Sequence, residues 1–504
     1  MADRQSRSQR WRYIALIALV LLTLAAVSAW IGSRQAHEAR IDAGKPTLVV
    51  LPLQPAGAGH DEGVLAQGLS ADWIAPLARI QGLHVIAGTS ALRAQVEHFN
   101  DAQLRQRLGA THVLSGQLRD SGSEVHIDLK LRATDDGATL WTGTYASMLS
   151  DTAMLAREIA QAVATALSLR VVPGATAMID AEALIYRDYL DARLLLDGPQ
   201  RQRGIDRLRE TVHKAPKFAQ AHAALARALS ADARTSTRAE LADATIEARS
   251  ALDLQEELAD AHVAQAVLAC HVGDWAHCME SFARAIALDP SDAASRGAYA
   301  YRLAALGYID SALRESENAW RADPLSYDAN FLRARMLDTT GAHDAARTYL
   351  DAATPATAGL VYAKWHNAVW RRDFGAAAAL AVTVPQSDGF REAYIAVTEA
   401  LSEPRLWRLA LPLIATSERA NGRINVLRVM MPNPDYTIVI AGLEKMLPDA
   451  WPSYYMLLWM PQYAALRRDP AFQNFLARSG LLEYWRTYGF PAQCRAAGDG
   501  AICD

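Results

Sequence analysis

Between residues 259 and 353 the chain repeats itself every 34 residues. Gly273, Gly307 and Gly341 keep that step, as do Cys278, Ala312 and Ala346, and Ala285, Ala319 and Ala353. Pro290 and Pro324 close two of the units. A glycine, then a small residue, a second small residue and a proline at fixed offsets describe one antiparallel helix pair. The glycine makes the turn, the small residues let the second helix lie close to the first, and the proline ends it. One such pair cannot bury its apolar face alone, so the period demands a stack of pairs. The stretch therefore predicts an all-α superhelix, a form better suited to binding than to chemistry.

A helix–turn–helix period of 34 residues resembles the tetratricopeptide repeat (TPR). The array is read over residues 178–384, with less regular units at both ends. Residues 181–196 and 200–213 form a first pair, with Gly198 and Pro199 between its helices. The next pair starts at Phe218 and has a turn widened by the polar run 231–239. A degenerate unit at 361–384 carries Arg372 at its turn. In this repeat class the first helix of each unit lines a concave groove. The register then names Tyr186, Tyr189, Arg193, Tyr301, Phe331, Arg335 and Asp338 as groove candidates. Aromatics with arginine are what a peptide-binding groove tends to use. For each residue taken singly, helix packing explains its presence as well. The Lys and Asn clamp for a C-terminal carboxylate is not reproduced, because the corresponding positions hold Arg193, Val267, Tyr301 and Arg335.

Before the repeats, residues 46–172 read as a small α/β domain. Strands are expected at 47–53, 83–87, 111–118, 125–131 and 139–145, and helices at 65–80, 101–108 and 151–169. Val125, Ile127, Leu129 and Leu131 alternate with His126, Asp128, Lys130 and Arg132, so this sheet buries one face. Gly57, Gly59 and Gly63 stand between a strand and a helix, where a dinucleotide fingerprint would sit. The third glycine is one residue late, and Asp61 and Glu62 place negative charge where a pyrophosphate would lie. The segment is read as a polar loop.

The run from VVLPL through QGLSADWIAPLARIQGLHVIAGTSA to LRQRLGATHVLSGQLRDSGSEVHIDLKLRATDDGATLWTGTYA resembles the TolB amino-terminal-like (FlgO-like) domain. Pro52, Gly68, Leu69, Leu83, Gly109, Gly116, Gly137, Trp141 and Tyr145 are among the matching positions. The resemblance implies a periplasmic module of the kind that follows a membrane helix in CadC-type regulators and TPR-bearing adenylate cyclases. The chain is expected to lack the cytosolic output domain of those proteins. The segment LRRDPAFQNFLARSGLLEYWRTYGFPAQC resembles the terminal segment of the same proteins. It is expected to cap the array with Phe472, Leu481 and Trp485, within a helical continuation over 385–504.

Residues 14–31 form an uncharged apolar run with Arg4, Arg7, Arg10 and Arg12 before it. Residues 13–31 are read as a single transmembrane helix with a cytosolic tail at 1–12, which places the bulk of the chain in the bacterial periplasm. A cleaved signal peptide with its site at 27–29 is the alternative. In such a compartment Cys494 and Cys503 are expected to pair, flanking a glycine-rich tail. Packing suffices to explain Cys278, and its pairing with Cys270 stays open. The net charge of −4 gives no reason to expect nucleic acid, and no cofactor or metal motif is present. The expected function is a membrane-anchored periplasmic interaction protein without catalysis, acting on a protein or peptide partner. The alternative is the sensory half of a signalling system whose output lies on a separate protein. The oligomeric state is left open.

Overall fold

The computed structural model describes residues 45–504 except 58, 87, 123, 173–180, 197, 232–235, 356, 386–389, 422–426, 428–434 and 446–455. The α/β domain is built on a six-stranded sheet. The strands of the domain, two of them outside that sheet, are β1 (Thr47–Val50), β2 (Gln54–Pro55), β3 (Ile80–Gln81), β4 (His84–Ile86), β5 (His112–Asp120), β6 (Glu124–Ala133), β7 (Thr139–Met148) and β8 (Arg170–Val171). The main order is β4-β1-β5-β6-β7, with β2 alongside β5; β3 pairs separately with β8. β1 runs parallel to β4 and β5, and β5, β6 and β7 form an antiparallel meander. The alternation expected for β6 is present: Val125, Ile127, Leu129 and Leu131 are buried.

Helices His60–Asp72 and Thr152–Ala166 share one core with that face of the sheet. Helices Gly88–Val96 and Asp101–Leu108 share a second core with Val49, Ile86 and Val113 on the other. Asp101–Leu108 starts on a capping box between Asn100 and Gln103 and ends at Gly109 with φ 66°. The loop read over 57–63 is shorter than expected, because a helix already begins at His60 and includes Gly63.

The repeats follow as helix pairs. Unit I is Ala183–Leu196 with Arg201–Lys214, and unit II is Ala219–Ser230 with Arg238–Leu254. Unit III is Ala259–His271 with Trp275–Leu288, and unit IV is Ala293–Ala305 with Ile309–Ala322. Unit V is Tyr327–Thr339 with His343–Ala352, and unit VI is Ala358–Trp370 with Phe374–Ala381. Phe390–Ser402 and Trp407–Asn421 add a seventh pair beyond the expected end of the array.

The glycines do what their spacing predicts. Gly273, Gly307 and Gly341 have φ of 79°, 85° and 82°, a left-handed conformation that glycine adopts without strain. The amide after each returns to a carbonyl five residues earlier: Asp274 to Ala269, Tyr308 to Leu303 and Ala342 to Leu337, at 2.9–3.0 Å. Cys278, Ala312, Ala346 and Ala319 are fully buried at the helix contacts. Unit VI turns on Arg372 at φ 60° instead.

The boundary expected near residue 173 is not a boundary of the core. Tyr186, Tyr189, Leu190, Phe218 and Leu225 of units I and II belong to the same apolar cluster as Leu48, Leu65 and Ile159 of the α/β domain. Gly68 permits that approach, since a Cβ there would lie 2.9 Å from Leu190.

The C-terminal segment does not run on from unit VII as a plain end-cap. Helices Tyr436–Lys445, Pro470–Arg478 and Leu481–Tyr488, with the hairpin of β9 (Cys494–Ala497) and β10 (Gly500–Cys503), share a core with units III and IV. Phe472, Leu481 and Trp485 are buried there as apolar anchors. Cys494 and Cys503 are disulfide-bonded across the hairpin, where they face each other in register. Cys270 and Cys278 are also bonded, with Cα atoms 5.1 Å apart.

The expected localisation is corrected. Among the described residues no helix is long and apolar enough to cross a membrane. The longest, Arg238–Leu254, has 17 residues and carries charges along its length, whereas a span needs about 20 apolar residues. The span read at 13–31 lies outside the described residues. A single-pass inner-membrane placement with a periplasmic bulk is therefore not upheld.

Candidate functional site

In an antiparallel helix pair the intra-unit turns lie along one edge of the stack and the inter-unit links along the other. At units III and IV both edges meet other parts of the same chain. On the link edge sits the α/β domain. Arg79 donates through Nε and Nη2 to the Leu288 carbonyl at 3.1 and 3.0 Å. His84 Nε2 meets the Arg321 carbonyl at 2.8 Å. Thr89 and Ser90 donate backbone amides to Asp323 at 3.3 and 2.7 Å. On the turn edge sits the C-terminal segment. Trp459 Nε1 donates to Ala305, Trp485 Nε1 to Leu306 and Gln493 Nε2 to Gly307, at 3.2, 2.9 and 2.8 Å. Trp275 of the array returns a bond to the Ser479 carbonyl at 2.9 Å. Most of these acceptors are helix-end carbonyls, which have no partner within their own helix.

The seven groove candidates fall into two places. Tyr186, Tyr189 and Arg193 lie at the junction of unit I with the α/β domain. Tyr186 and Tyr189 are 1% and 4% exposed, so neither presents a face to an incoming peptide. Tyr186 donates its hydroxyl to Asp72 at 2.5 Å, and Arg193 donates to the other oxygen of Asp72 at 2.6 Å. Arg193 also lies over the Tyr189 ring at 5.4 Å. Burial, and the nearby Asp72 charge, hold the Tyr186 hydroxyl above its ordinary range, so it stays a donor.

Tyr301, Phe331, Arg335 and Asp338 belong to units IV and V. Asp338 is fully buried and bonds inward, accepting from Asn367 at 2.8 Å and lying 2.9 Å from His343 Nδ1. Arg335 lies 5.5 Å over the ring of Trp370, which also stacks on His343. Phe331 stacks on Tyr327 at 5.6 Å and is half-buried, as is Tyr301. Of the seven, Asp338 is a structural residue by geometry, while Tyr301, Phe331 and Arg335 keep some exposure.

A cavity of 670 Å³ opens between the α/β domain and units I–III. Its charged and tyrosine lining is Asp72, Arg79, Arg157, Glu158, Tyr186, Tyr189, Arg193, Glu257, Asp260 and Asp289. Arg227 bonds both Asp260 and Asp292, at 2.6 and 2.7 Å. Asp292 also caps the first helix of unit IV through the Ser295 amide. Against the cost of burial, the Arg227 guanidinium pulls Asp292 down to about 2. Burial, with the Asp292 charge beside it, holds Asp289 above its usual range.

Sequence reading missed Asp289, Asp292 and Asp323 as participants. The signal available was the Asp-Pro pair repeated at Asp289-Pro290 and Asp323-Pro324, which was read only as a helix stop.

The fold class is thus an α/β domain packed on a stack of TPR-like helix pairs. No family model matches the chain. A curated relative, described as putative adenylate cyclase 3 of Rhizobium meliloti (strain 1021), is 26% identical over 130 residues. That stretch is 26% of this chain and 22% of the relative, so the match spans well under a third of the relative's length. Among solved structures, a tetratricopeptide repeat protein from Parabacteroides merdae is 14% identical and covers 53% of this chain and 99% of its own, with a TM-score of 0.33. Pseudomonas aeruginosa pilF is 17% identical and covers 40% and 89%, with a TM-score of 0.33. TolB from Acinetobacter baumannii is 14% identical and covers 25% and 28%, with a TM-score of 0.20.

Proposed function

We propose that the chain is a non-catalytic interaction scaffold whose repeat array holds a partner polypeptide. The observation that carries this reading is that the array already takes polypeptide along both edges. It does so largely through helix-end carbonyls at Leu288, Arg321, Ala305, Leu306 and Gly307. Such acceptors are tolerant of sequence, and the specificity falls to side chains beside them. The partner site assigned on this reading is the face of units IV and V carrying Tyr301, Phe331 and Arg335. Those residues combine aromatic area with a guanidinium, as interface anchors do.

A photo-crosslinker placed at Phe331 of the full chain, with a second at the exposed Leu184 as control, tests this. A partner protein captured reproducibly at position 331 and not at 184 is the expected result. Capture at neither site, together with turnover of a substrate by the purified chain, would refute the scaffold reading.

The relative's name supports a second reading, in which the chain is the regulatory part of a signalling system with its output on a separate protein. In that case the captured partner would itself carry a nucleotide-cyclising or transcriptional activity that changes when the chain is added.

A further inference from the structure

We propose that two copies of this chain pair through β7, edge to edge and antiparallel, to form one continuous sheet. This goes beyond the scaffold reading and does not depend on it. The two ends of the sheet differ. At one end β4 is met by unit IV, through His84 and the Arg321 carbonyl. At the other end β7 has β6 as its sole neighbour in the sheet. Among the described residues, no amide or carbonyl of Thr139–Met148 bonds to backbone outside β6. Alternate backbone groups along the strand therefore face outward. Edges are commonly blunted by charge, proline or a bulge. β7 has one such device, the register shift opposite Leu131 and Arg132 near its start. From Trp141 to Met148 the ladder is regular, and the whole strand, TLWTGTYASM, holds no charged residue and no proline.

The apolar face is also unfinished at this edge. Val125, Ile127, Leu129 and Leu131 of β6 are buried, but Ser147, Tyr145, Gly143 and Trp141 opposite them are only half-buried. Trp141 and Tyr145 close over Gly143, where a Cβ would lie 2.5 Å from one ring and 2.8 Å from the other. The two rings make a ledge at the rim of the core that a further strand would cover. Charge selects a second copy as that strand. A two-fold axis at Gly143 sets Trp141 opposite Tyr145 of the second copy and Thr142 opposite Thr144 of the second copy. No like charges meet along the pair, because the strand carries none. On the exposed face Lys130 stands beside Thr142, and Asp128 beside Thr144. The axis thus brings Lys130 of each copy into one cross-strand row with Asp128 of the other, so the flanking charges are complementary.

Sedimentation velocity of the full chain over a concentration series tests the pairing, and a concentration-dependent dimer is expected. Thr144→Lys and Thr142→Glu each put a charge beside its opposite on β6, Asp128 and Lys130, so the melting temperature of the protomer is expected to hold. In the dimer each introduced charge lies near its own copy across the axis. Either variant is therefore expected to weaken self-association about tenfold. Mixing the two variants sets the opposite charges face to face, and the dimer is expected to re-form. A chain that stays monomeric, a dimer untouched by the variants, or a mixture that fails to re-form it overturns the proposal. If one variant lowers the melting temperature, the other alone decides. None of these results bears on capture at Phe331, so the two readings fail separately.

Discussion

Asp323, on the link between units IV and V, accepts from the Ser90 amide at 2.7 Å and from the Ser90 hydroxyl. Ser90 Oγ in turn accepts from the Leu325 amide at 2.9 Å. The carboxylate thereby caps the helix Gly88–Val96 from a position 233 residues later in the chain. Its place is set by Gly88, whose φ of 61° brings the backbone close to Asp323. An N-cap is worth about 1 kcal/mol, and a buried acceptor left without its donor costs about 1–3 kcal/mol. Ser90→Ala and Asp323→Ala are each expected to lose about 1–3 kcal/mol in chemical denaturation. The double variant should lose clearly less than the sum, since both remove one shared bond. Additive losses would show that the two residues act independently.

Gly307 and Gly341 form a natural control pair. Their φ values are 85° and 82°, so alanine is strained equally at both. Around Gly341 there is open space, but a Cβ on Gly307 would lie 2.9 Å from Gln493 and 3.1 Å from Pro491 of the C-terminal segment. Gly341→Ala is expected to cost about 1–2 kcal/mol from backbone strain alone. Gly307→Ala should cost more and should also raise hydrogen exchange in residues 491–503. Equal costs and unchanged exchange would mean that the segment is not held at that turn.

His366 gives a pH dependence with a defined sign. Burial first, and then the Arg335 charge, push its pKa from 6.5 down to about 3. Nδ1 points at the Tyr362 carbonyl at 2.7 Å, which assigns it the proton of the neutral ring. The folded chain keeps His366 neutral while the unfolded chain takes up a proton near 6.5. Its contribution is therefore complete above pH 6.5 and is lost as pH falls from there towards 3. The melting temperature should fall between pH 6.5 and about pH 4, and less steeply in His366→Phe. Parallel curves for the two proteins would exclude His366 as a source of the acid sensitivity.

Cys494 and Cys503 lie opposite each other in the hairpin, and Gln473 of helix Pro470–Arg478 holds the Ala501 carbonyl at 2.7 Å. Alkylation and mass spectrometry of the non-reduced chain should find both thiols blocked to the reagent. Replacing the pair by serine should destabilise the C-terminal segment by about 2–3 kcal/mol. Two freely alkylated thiols in folded protein would refute the bond.

The regular part of the array was legible because its signals are local. Gly273, Gly307 and Gly341 need only their own turns, and Asp101–Leu108 needs only its own capping box and Gly109. The helix Gly88–Val96 was not legible, since the group that caps it comes from Asp323 and no nearby residue announces it. The site was harder to read than the fold for the same reason. Tyr186, Tyr189 and Arg193 read from the sequence as lining an open groove. Their faces are taken by Asp72 and the apolar wall of the α/β domain, a partner that spacing within one helix cannot reveal. Asp338 illustrates the converse. It looked like a surface acid on the groove, but His343 of its own unit and Asn367, one unit on, turn it into a buried joint.

The shared core of the α/β domain and units I and II sets an order on synthesis. Residues 46–172 can collapse into their sheet as they leave the ribosome, but the core they belong to is complete only when Tyr186, Leu190 and Phe218 follow. The cap on Gly88–Val96 and the seat for His84 arrive later still, with residues 321–325. For that interval the amino-terminal module is a nascent chain with an unsealed apolar flank, the kind of surface that chaperones hold. A truncation before unit IV would fix the molecule in that state, so fragments designed to isolate the module should extend beyond Leu325.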